Sequence, residues 1–103
     1  MTERKRMSVY VLLEGTLKEG GVQEFSDMCE AALPVTRAFD GCQEIYLTLN
    51  VENPHNFVLN ELWDSKEHYQ KYLEFRTQDG TVEKITEACE DGPTIRIFDK
   101  TGV

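Results

Sequence analysis

The segment NFVLNELWDSKEHYQKYLEFR, residues 56–76, decides the fold because its pattern predicts a strand that continues directly into a helix. The strand part is apolar on both faces: Phe57, Leu59 and Trp63 share one parity, and Val58 and Leu62 share the other. A strand that is apolar on both faces has to be covered on both faces. We therefore expect other parts of the protein to pack on each side of this strand.

The second part of this segment has the spacing of an amphipathic helix. Asp64 or Ser65 supplies a side-chain oxygen that can cap the first helical turn, and Glu67 in that turn suits the helix dipole. Four side chains then share one face of the helix: Tyr69, Tyr72, Leu73 and Arg76. The only tryptophan of the chain therefore lies at the corner where the strand becomes the helix.

The flanking sequence predicts further elements on both sides of this corner. Alternating apolar residues predict strands at residues 8–17, 42–51 and 94–98. Helical spacing begins at Val22, and we expect Pro34 to end or kink that helix, with a further turn possible up to Phe39.

A short helix is predicted between the corner helix and the last strand. Thr81 is expected to cap it, Val82, Ile85 and Cys89 form its apolar side, and Asp91-Gly92-Pro93 is expected to end it.

The resulting order, β-α-β-β-α-(α)-β, is typical of an α+β fold of the ferredoxin-like, split β-α-β type, in which helices cover one face of a four-stranded antiparallel sheet. The polar turn at residues 52–55 predicts that its two flanking strands pair as an antiparallel hairpin. The other sheet face, with Tyr10 and Leu12, would be bare in a monomer, and a patch of this kind marks an interface. We therefore expect a homodimer packed through the sheet face.

Composition and charge set limits on class and partners. The 103 residues predict a single domain, 1–103, with an ordered core at about 8–99 and a flexible segment at 1–7 that includes the basic run Arg4-Lys5-Arg6. A net charge of −8 disfavours nucleic acid and anionic membrane as partners. No apolar run approaches the ~20 residues of a membrane-spanning helix. The protein is expected to be cytoplasmic.

The cysteines indicate the same compartment. Cys29, Cys42 and Cys89 are widely spaced, odd in number and without a C-x-x-C arrangement. Free thiols in a reducing compartment are the expected state.

Several features together resemble the antibiotic biosynthesis monooxygenase superfamily. They are the element order, the corner Glu61-Leu62-Trp63-Asp64-Ser65, the helix pattern Tyr69-x-x-Tyr72-Leu73-x-x-Arg76, and the lead Asp91-Gly92-Pro93-Thr94-Ile95 into the last strand. The resemblance covers residues 8–98 and implies a dimeric α/β barrel with a small-molecule pocket between sheet and helices. It also implies a cofactor-independent monooxygenase that acts on small aromatic phenols or quinols with dioxygen. A non-catalytic ligand-binding dimer and an isomerase on the same fold are the alternatives.

The resemblance further implies a site formed by Asn60, Trp63, Tyr72 and Arg76. Trp63 matches the family tryptophan that lines the pocket, and Asn60 lies where related enzymes place a pocket asparagine. Tyr72 stands where many quinol-oxidising members have histidine, and a tyrosine with a pKa near ~10 is a weaker base at neutral pH. No cofactor is expected, because the iron-binding histidine of the haem-degrading members has no counterpart: His68 falls about one turn too early.

Each of these residues also has a structural interpretation. Trp63 is either a core aromatic or a pocket wall, and Asn60 is either a satisfied buried amide or a donor to the substrate. Arg76 either holds an anionic substrate or pairs with a carboxylate. For Glu61, a carboxylate at the dimer interface or at a sheet edge is favoured over a pocket acid. Neither His55 nor His68 has a second ligand at metal spacing, so no metal site is expected.

Overall fold

The computed structural model describes residues 7–103, so the basic run Arg4-Lys5-Arg6 and nearly all of the segment expected to be flexible lie outside the described residues. The described elements follow the predicted order: β1 Val9–Leu17, α1 Val22–Arg37, β2 Cys42–Asn50, β3 Asn53–Trp63, α2 Lys66–Gln78, α3 Thr81–Ala88 and β4 Cys89–Asp99. From residue 7 onward, none of the helices combines the length and the apolar character needed to cross a bilayer.

The four strands form one sheet in the order β2-β3-β1-β4, and every neighbouring pair is antiparallel. The predicted hairpin is the β2–β3 pair, and β3 lies in the interior of the sheet between β2 and β1. The fold is therefore the predicted α+β, ferredoxin-like arrangement.

The two faces of the sheet differ sharply in burial. On one face, Val9, Val11 and Leu13 of β1 are buried, and the register places Leu59 and Trp63 of β3 beside them. The helices pack on this face, and the core lies between. The other face carries a set of aromatic side chains that are 42%, 55% and 46% exposed, namely Tyr10, Tyr46 and Phe98. The bare sheet face expected of a single chain is present.

The corner between β3 and α2 is built as predicted. Ser65 is the N-cap of α2: its Oγ accepts a hydrogen bond from the backbone N–H of His68 at 3.1 Å. The backbone N–H of Asp64 donates to the carbonyl of Gly41 at 2.8 Å. Together these bonds fix the direction in which α2 leaves the sheet.

Helix α1 differs from the prediction at Pro34. It runs without a break to Arg37 with Pro34 inside it. The proline ring removes one backbone donor, but the N–H of Ala38 still donates to the Pro34 carbonyl at 3.2 Å, so the following turn forms. Of the outcomes expected at Pro34, an end of the helix is wrong, whereas the further turn expected after it forms and is part of α1.

The last two elements also differ from the prediction. Gly80, not Thr81, is the N-cap of α3, and β4 begins at Cys89, so Asp91-Gly92-Pro93 lies inside the strand. The register of β1 with β4 shifts at this point, and a Cβ on Gly92 would lie 3.2 Å from the Cα of Gly15. The glycine permits a close approach of two strands at an irregularity rather than a turn.

Candidate active site

A small cavity lies between the helix-covered face of the sheet and the three helices, with a volume of about 40 Å³. Its walls are mostly apolar, and the polar side chains among its lining residues are Glu61, Tyr69, Tyr72, Arg76 and Thr81. This volume is enough for about one water molecule, whereas ligand pockets usually enclose about 300 Å³ or more. The cavity must therefore widen to accept an aromatic ring.

Glu61 is the buried acid of this cavity. Only 4% of it is exposed, and in the middle of the sheet it lies opposite Val11 of β1 and Ile45 of β2. The expectation that Glu61 lies at a dimer interface or a sheet edge is wrong. The signal that could have located it is parity, because side chains two residues apart share a sheet face and Glu61 is two residues from both Leu59 and Trp63.

The hydrogen bonding of Glu61 leaves part of its carboxyl group free. Oε1 accepts from the indole Nε1–H of Trp63 at 2.9 Å. Within the part of the chain that the structure describes, the second oxygen has no hydrogen-bond partner. Burial raises the pKa of Glu61 to about 7, and the indole hydrogen bond opposes this only in part. A carboxyl group that titrates near neutral pH in an apolar cavity can take up a proton and return it.

Arg76 is buried in the same wall, but all of its donors are in use. A guanidinium has five N–H groups. They donate to five acceptors: the Tyr72 hydroxyl at 2.9 Å, Asp79 at 2.9 Å, Thr81 at 3.4 Å, the Ala32 carbonyl at 2.8 Å and Thr36 at 3.2 Å. Burial lowers the pKa of Arg76, but its bonds to Tyr72 and Asp79 outweigh this effect and raise it, so the side chain stays charged. The arginine ties α2 to α1 and to the start of α3.

The hydroxyl of Tyr72 belongs to the same network. It accepts from Arg76, which can only donate, and lies 2.6 Å from the Thr36 Oγ1. The arrangement that satisfies every group has Tyr72 donating to Thr36 and Thr36 donating to the Ala32 carbonyl at 3.4 Å. Burial raises the pKa of Tyr72, although its bonds to Thr36 and Arg76 act in the opposite direction. Tyr72 therefore holds its proton firmly and is a poor base.

Trp63 is fully buried and does not line the cavity itself. Its ring packs against Tyr72 at 4.9 Å, Tyr69 at 5.7 Å and Phe39 at 6.3 Å between centroids. Its indole N–H holds the carboxyl of Glu61 in place. The core interpretation of Trp63 fits this position better than the pocket-wall interpretation.

Asn60 is separated from the other three predicted site residues. It lies in register with Leu12 and Tyr46 on the bare face of the sheet, and its Nδ2 donates to Thr48 Oγ1 at 2.7 Å. The structure therefore brings Trp63, Tyr72 and Arg76 together with Glu61, and places Asn60 on the other side of the sheet.

Two larger grooves lie elsewhere on the surface, with volumes of about 520 and 630 Å³. The charged residues that line the first are all exposed: Lys18, Glu19, Glu24, Lys84 and Glu87. Cys29 lines the second, but burial raises the pKa of this thiol to about 11, so it is protonated at neutral pH. Across residues 7–103, no group of three or more His, Cys, Asp or Glu side chains is arranged to hold a metal ion.

The fold and the enclosed acid define a ferredoxin-like α+β domain with a buried site between sheet and helices. The chain belongs to the antibiotic biosynthesis monooxygenase family, whose sequence profile matches residues 8–83. No curated protein sequence is significantly similar to it.

Solved structures support the fold. A conserved protein from Methanosarcina mazei Go1 is 20% identical, with a TM-score of 0.84 over 92% of this chain and 94% of the other. A candidate antibiotic biosynthesis monooxygenase from Nitrosomonas europaea is 10% identical, with a TM-score of 0.84 over 97% and 96%. Another from Deinococcus radiodurans is 14% identical, with a TM-score of 0.76 over 87% and 89%. At these identities the similarity establishes the fold alone.

Proposed function

We propose that the protein is a cofactor-independent monooxygenase of small aromatic phenols or quinols, with Glu61 as the base that removes the phenolic proton. The observation that carries this proposal is the carboxyl of Glu61. It is buried among apolar side chains, one of its oxygens has no hydrogen-bond partner among residues 7–103, and burial raises its pKa to about 7. Membership of the antibiotic biosynthesis monooxygenase family supports the oxidative chemistry.

The reaction needs one proton acceptor that later returns its proton. Glu61 takes the O–H proton of the phenol, and the resulting electron-rich oxyanion reduces dioxygen by forming a carbon–oxygen bond on the ring. The peroxide anion takes the proton back from Glu61. Loss of water from the hydroperoxide leaves the quinone, so one phenol and one dioxygen yield one quinone and one water. An apolar cavity favours this sequence because it excludes bulk water from the charged intermediates.

The other three residues of the cluster support Glu61. Trp63 orients the carboxyl through the 2.9 Å indole hydrogen bond, and the Arg76–Tyr72 pair holds α2 against α1. Since the pKa of Tyr72 is raised and its proton is engaged by Thr36, Tyr72 is a structural member of the site rather than its base.

The test is oxygen uptake by the purified, metal-stripped protein with a panel of monohydroxy- and dihydroxy-aromatics. We expect one dioxygen consumed per quinone formed, and kcat/KM that rises with pH through about 7 as Glu61 ionises. Glu61→Gln should lower kcat by about 10²- to 10⁴-fold, the usual contribution of a general base, and abolish that pH dependence.

The matched control is Glu52→Gln, which removes the same charge from an exposed position in the β2–β3 turn and should leave the rate unchanged. Absence of uptake across the panel, or full activity in the Glu61→Gln protein, contradicts the proposal.

An isomerase is the second candidate, because the same carboxyl can take a proton from carbon beside a carbonyl group and return it to another carbon. Product mass separates the two reactions: gain of oxygen or loss of hydrogen indicates oxidation, and an unchanged mass indicates isomerisation. Ligand binding with neither product would identify a binding protein.

We further propose a homodimer packed through the bare sheet face. In support, β4 is an edge strand that is exposed on both faces: Ile95 and Ile97 are 37% and 36% exposed on one, and Phe98 is 46% exposed on the other.

Light scattering should give twice the chain mass of 11.9 kDa, and Phe98→Asp should shift the measured mass toward that of a monomer. Val51→Asp is the control, because Val51 is 96% exposed in the β2–β3 turn. A monomeric wild type at micromolar concentration contradicts the dimer.

We also propose a cytosolic location. It is supported by the free thiols of Cys29, Cys42 and Cys89, since unpaired cysteines are typical of a reducing compartment.

A further inference from the structure

We infer that the cavity between the sheet and the helices selects a neutral, apolar ligand with one hydroxyl group. This hydroxyl donates a hydrogen bond to Glu61 and accepts one from Tyr69. The cavity rejects ligands that bear a carboxylate or a phosphate. The inference rests on the proposed function because it concerns the same site, but it concerns binding and not turnover.

The cavity offers a ligand no available cation among residues 7–103. Arg76 is the only cationic side chain among the described residues that line it, and its five N–H groups already have five acceptors. An anionic ligand would have to displace Asp79 or break the bonds to α1. Without such a partner, burying a charge among apolar side chains is strongly unfavourable.

Two polar groups in the cavity wall have hydrogen-bonding capacity that no described residue uses. Glu61, from β3, has a carboxyl oxygen with no partner among residues 7–103. Tyr69, from α2, is 2% exposed, lines the same cavity, and its hydroxyl makes no hydrogen bond to any described residue. The two groups are also close enough for the charge of Glu61 to raise the pKa of Tyr69, after the larger effect of burial.

A hydroxyl group on the ligand complements both Glu61 and Tyr69. A carboxylate accepts hydrogen bonds and a protonated tyrosine donates one, and a hydroxyl is the small group that satisfies both at once. An ether can accept from Tyr69 but offers nothing to Glu61, and an ionised carboxylate repels Glu61. Since the remaining walls are largely apolar, the rest of the ligand should be hydrocarbon. Tyr69 would then also donate to the oxygen that becomes negative when the proton leaves.

The experiment compares three ligands of one shape by isothermal titration calorimetry at pH 7.5, under argon so that no oxidation occurs. They are 4-propylphenol, which is neutral and donates, 4-propylanisole, which cannot donate, and 4-propylbenzoate, which is ionised. We expect the phenol to bind at least about tenfold more tightly than either of the others, since a hydrogen bond to a charged group contributes about that factor or more.

Two isosteric variants assign the preference to its residues. Glu61→Gln should reduce the preference for phenol over anisole to within about threefold, because an amide can donate as well as accept. Tyr69→Phe should weaken phenol and anisole alike by about threefold to tenfold, because both ligands lose the same donor. Glu52→Gln is again the charge-matched control and should bind all three ligands as the wild type does.

Equal binding of phenol and anisole by the wild type, binding of the benzoate as tightly as the phenol, or binding of none of the three overturns the inference. Its failure is distinct from that of the proposed function. Selective phenol binding without oxygen uptake contradicts the monooxygenase proposal but supports the selectivity. Efficient oxidation of carboxylate-bearing phenols contradicts the selectivity but supports the monooxygenase proposal.

Discussion

Arg76 and Glu61 are both buried charged side chains in the wall of one cavity, with exposed fractions of 7% and 4%. Arg76 donates all five of its N–H groups, and its acceptors lie on α1, α2, α3 and the turn between the last two. Glu61 accepts a single hydrogen bond from the described residues, and its other oxygen has no partner among them. The two side chains are therefore buried to a similar extent but suited to opposite roles, Arg76 to structure and Glu61 to chemistry. What distinguishes Glu61 is its unused hydrogen-bonding capacity, not its burial.

The largest expected effect on stability comes from replacing Arg76, whose hydrogen-bonding capacity is fully used. Arg76→Met should lower the free energy of unfolding by about 3–5 kcal/mol, because it removes the common member of a buried network and leaves the Ala32 carbonyl without that donor. Urea unfolding measures the change. Lys71→Met, which removes the same charge from an exposed position of the same helix, is the control and should cost less than about 1 kcal/mol. Equal losses in the two variants would mean that Arg76 is not the structural hub.

Glu61, whose hydrogen-bonding capacity is only partly used, should make the stability of the protein depend on pH. Since burial raises the pKa of Glu61 from an ordinary 4.5 to about 7, the folded protein holds a proton between these values that the unfolded chain releases. The stability contributed by this group is complete below about pH 4.5, falls as pH rises to about 7, and stays lost above it.

Comparing wild type with Glu61→Gln isolates this effect from the other carboxylates. On going from pH 4.5 to pH 8, the variant should gain on the wild type by on the order of 3 kcal/mol. Urea unfolding across this pH range measures the difference in the free energy of unfolding. The Glu52→Gln protein should show the same pH dependence as the wild type. A difference that does not change with pH would show that Glu61 titrates normally.

The smallest expected effects on stability are those of replacing Tyr72 and Asn60, which lie on opposite sides of the sheet. Tyr72→Phe removes the hydroxyl between Arg76 and Thr36 and should cost about 1–3 kcal/mol of stability while lowering kcat by less than about tenfold. Asn60→Ala, on the bare sheet face, should cost less than about 1 kcal/mol and leave the rate unchanged. A loss of two orders of magnitude in kcat for Tyr72→Phe would identify Tyr72 as the base after all.

Much of the fold could be predicted because its signals are local. The alternation in β1 and β3, the change of period after Trp63 and the capping oxygen of Ser65 each depend on neighbouring residues only. Parity also carried the information that Glu61 faces the helices, although the family pattern directed attention to Asn60 instead.

The parts that could not be predicted depend on contacts distant in sequence. The saturation of Arg76 needs acceptors 44 and 40 positions away, at Ala32 and Thr36. The Gly92 irregularity forms because β4 lies against Gly15, which no local pattern reveals. A free hydrogen-bonding site is likewise a property of the folded protein, because it is what remains after every other bond has formed.

The position of α3 has a kinetic consequence. This eight-residue helix forms part of the cavity wall through Thr81, Val82 and Ile85, and it follows Gly80, whose φ is +88°. If α3 pivots outward at Gly80, Arg76 loses its bond to Thr81 but keeps those to Asp79 and to α1. We therefore expect association to be limited by opening on the microsecond to millisecond scale, and the apparent affinity of every ligand to be reduced by the fraction of molecules that are open.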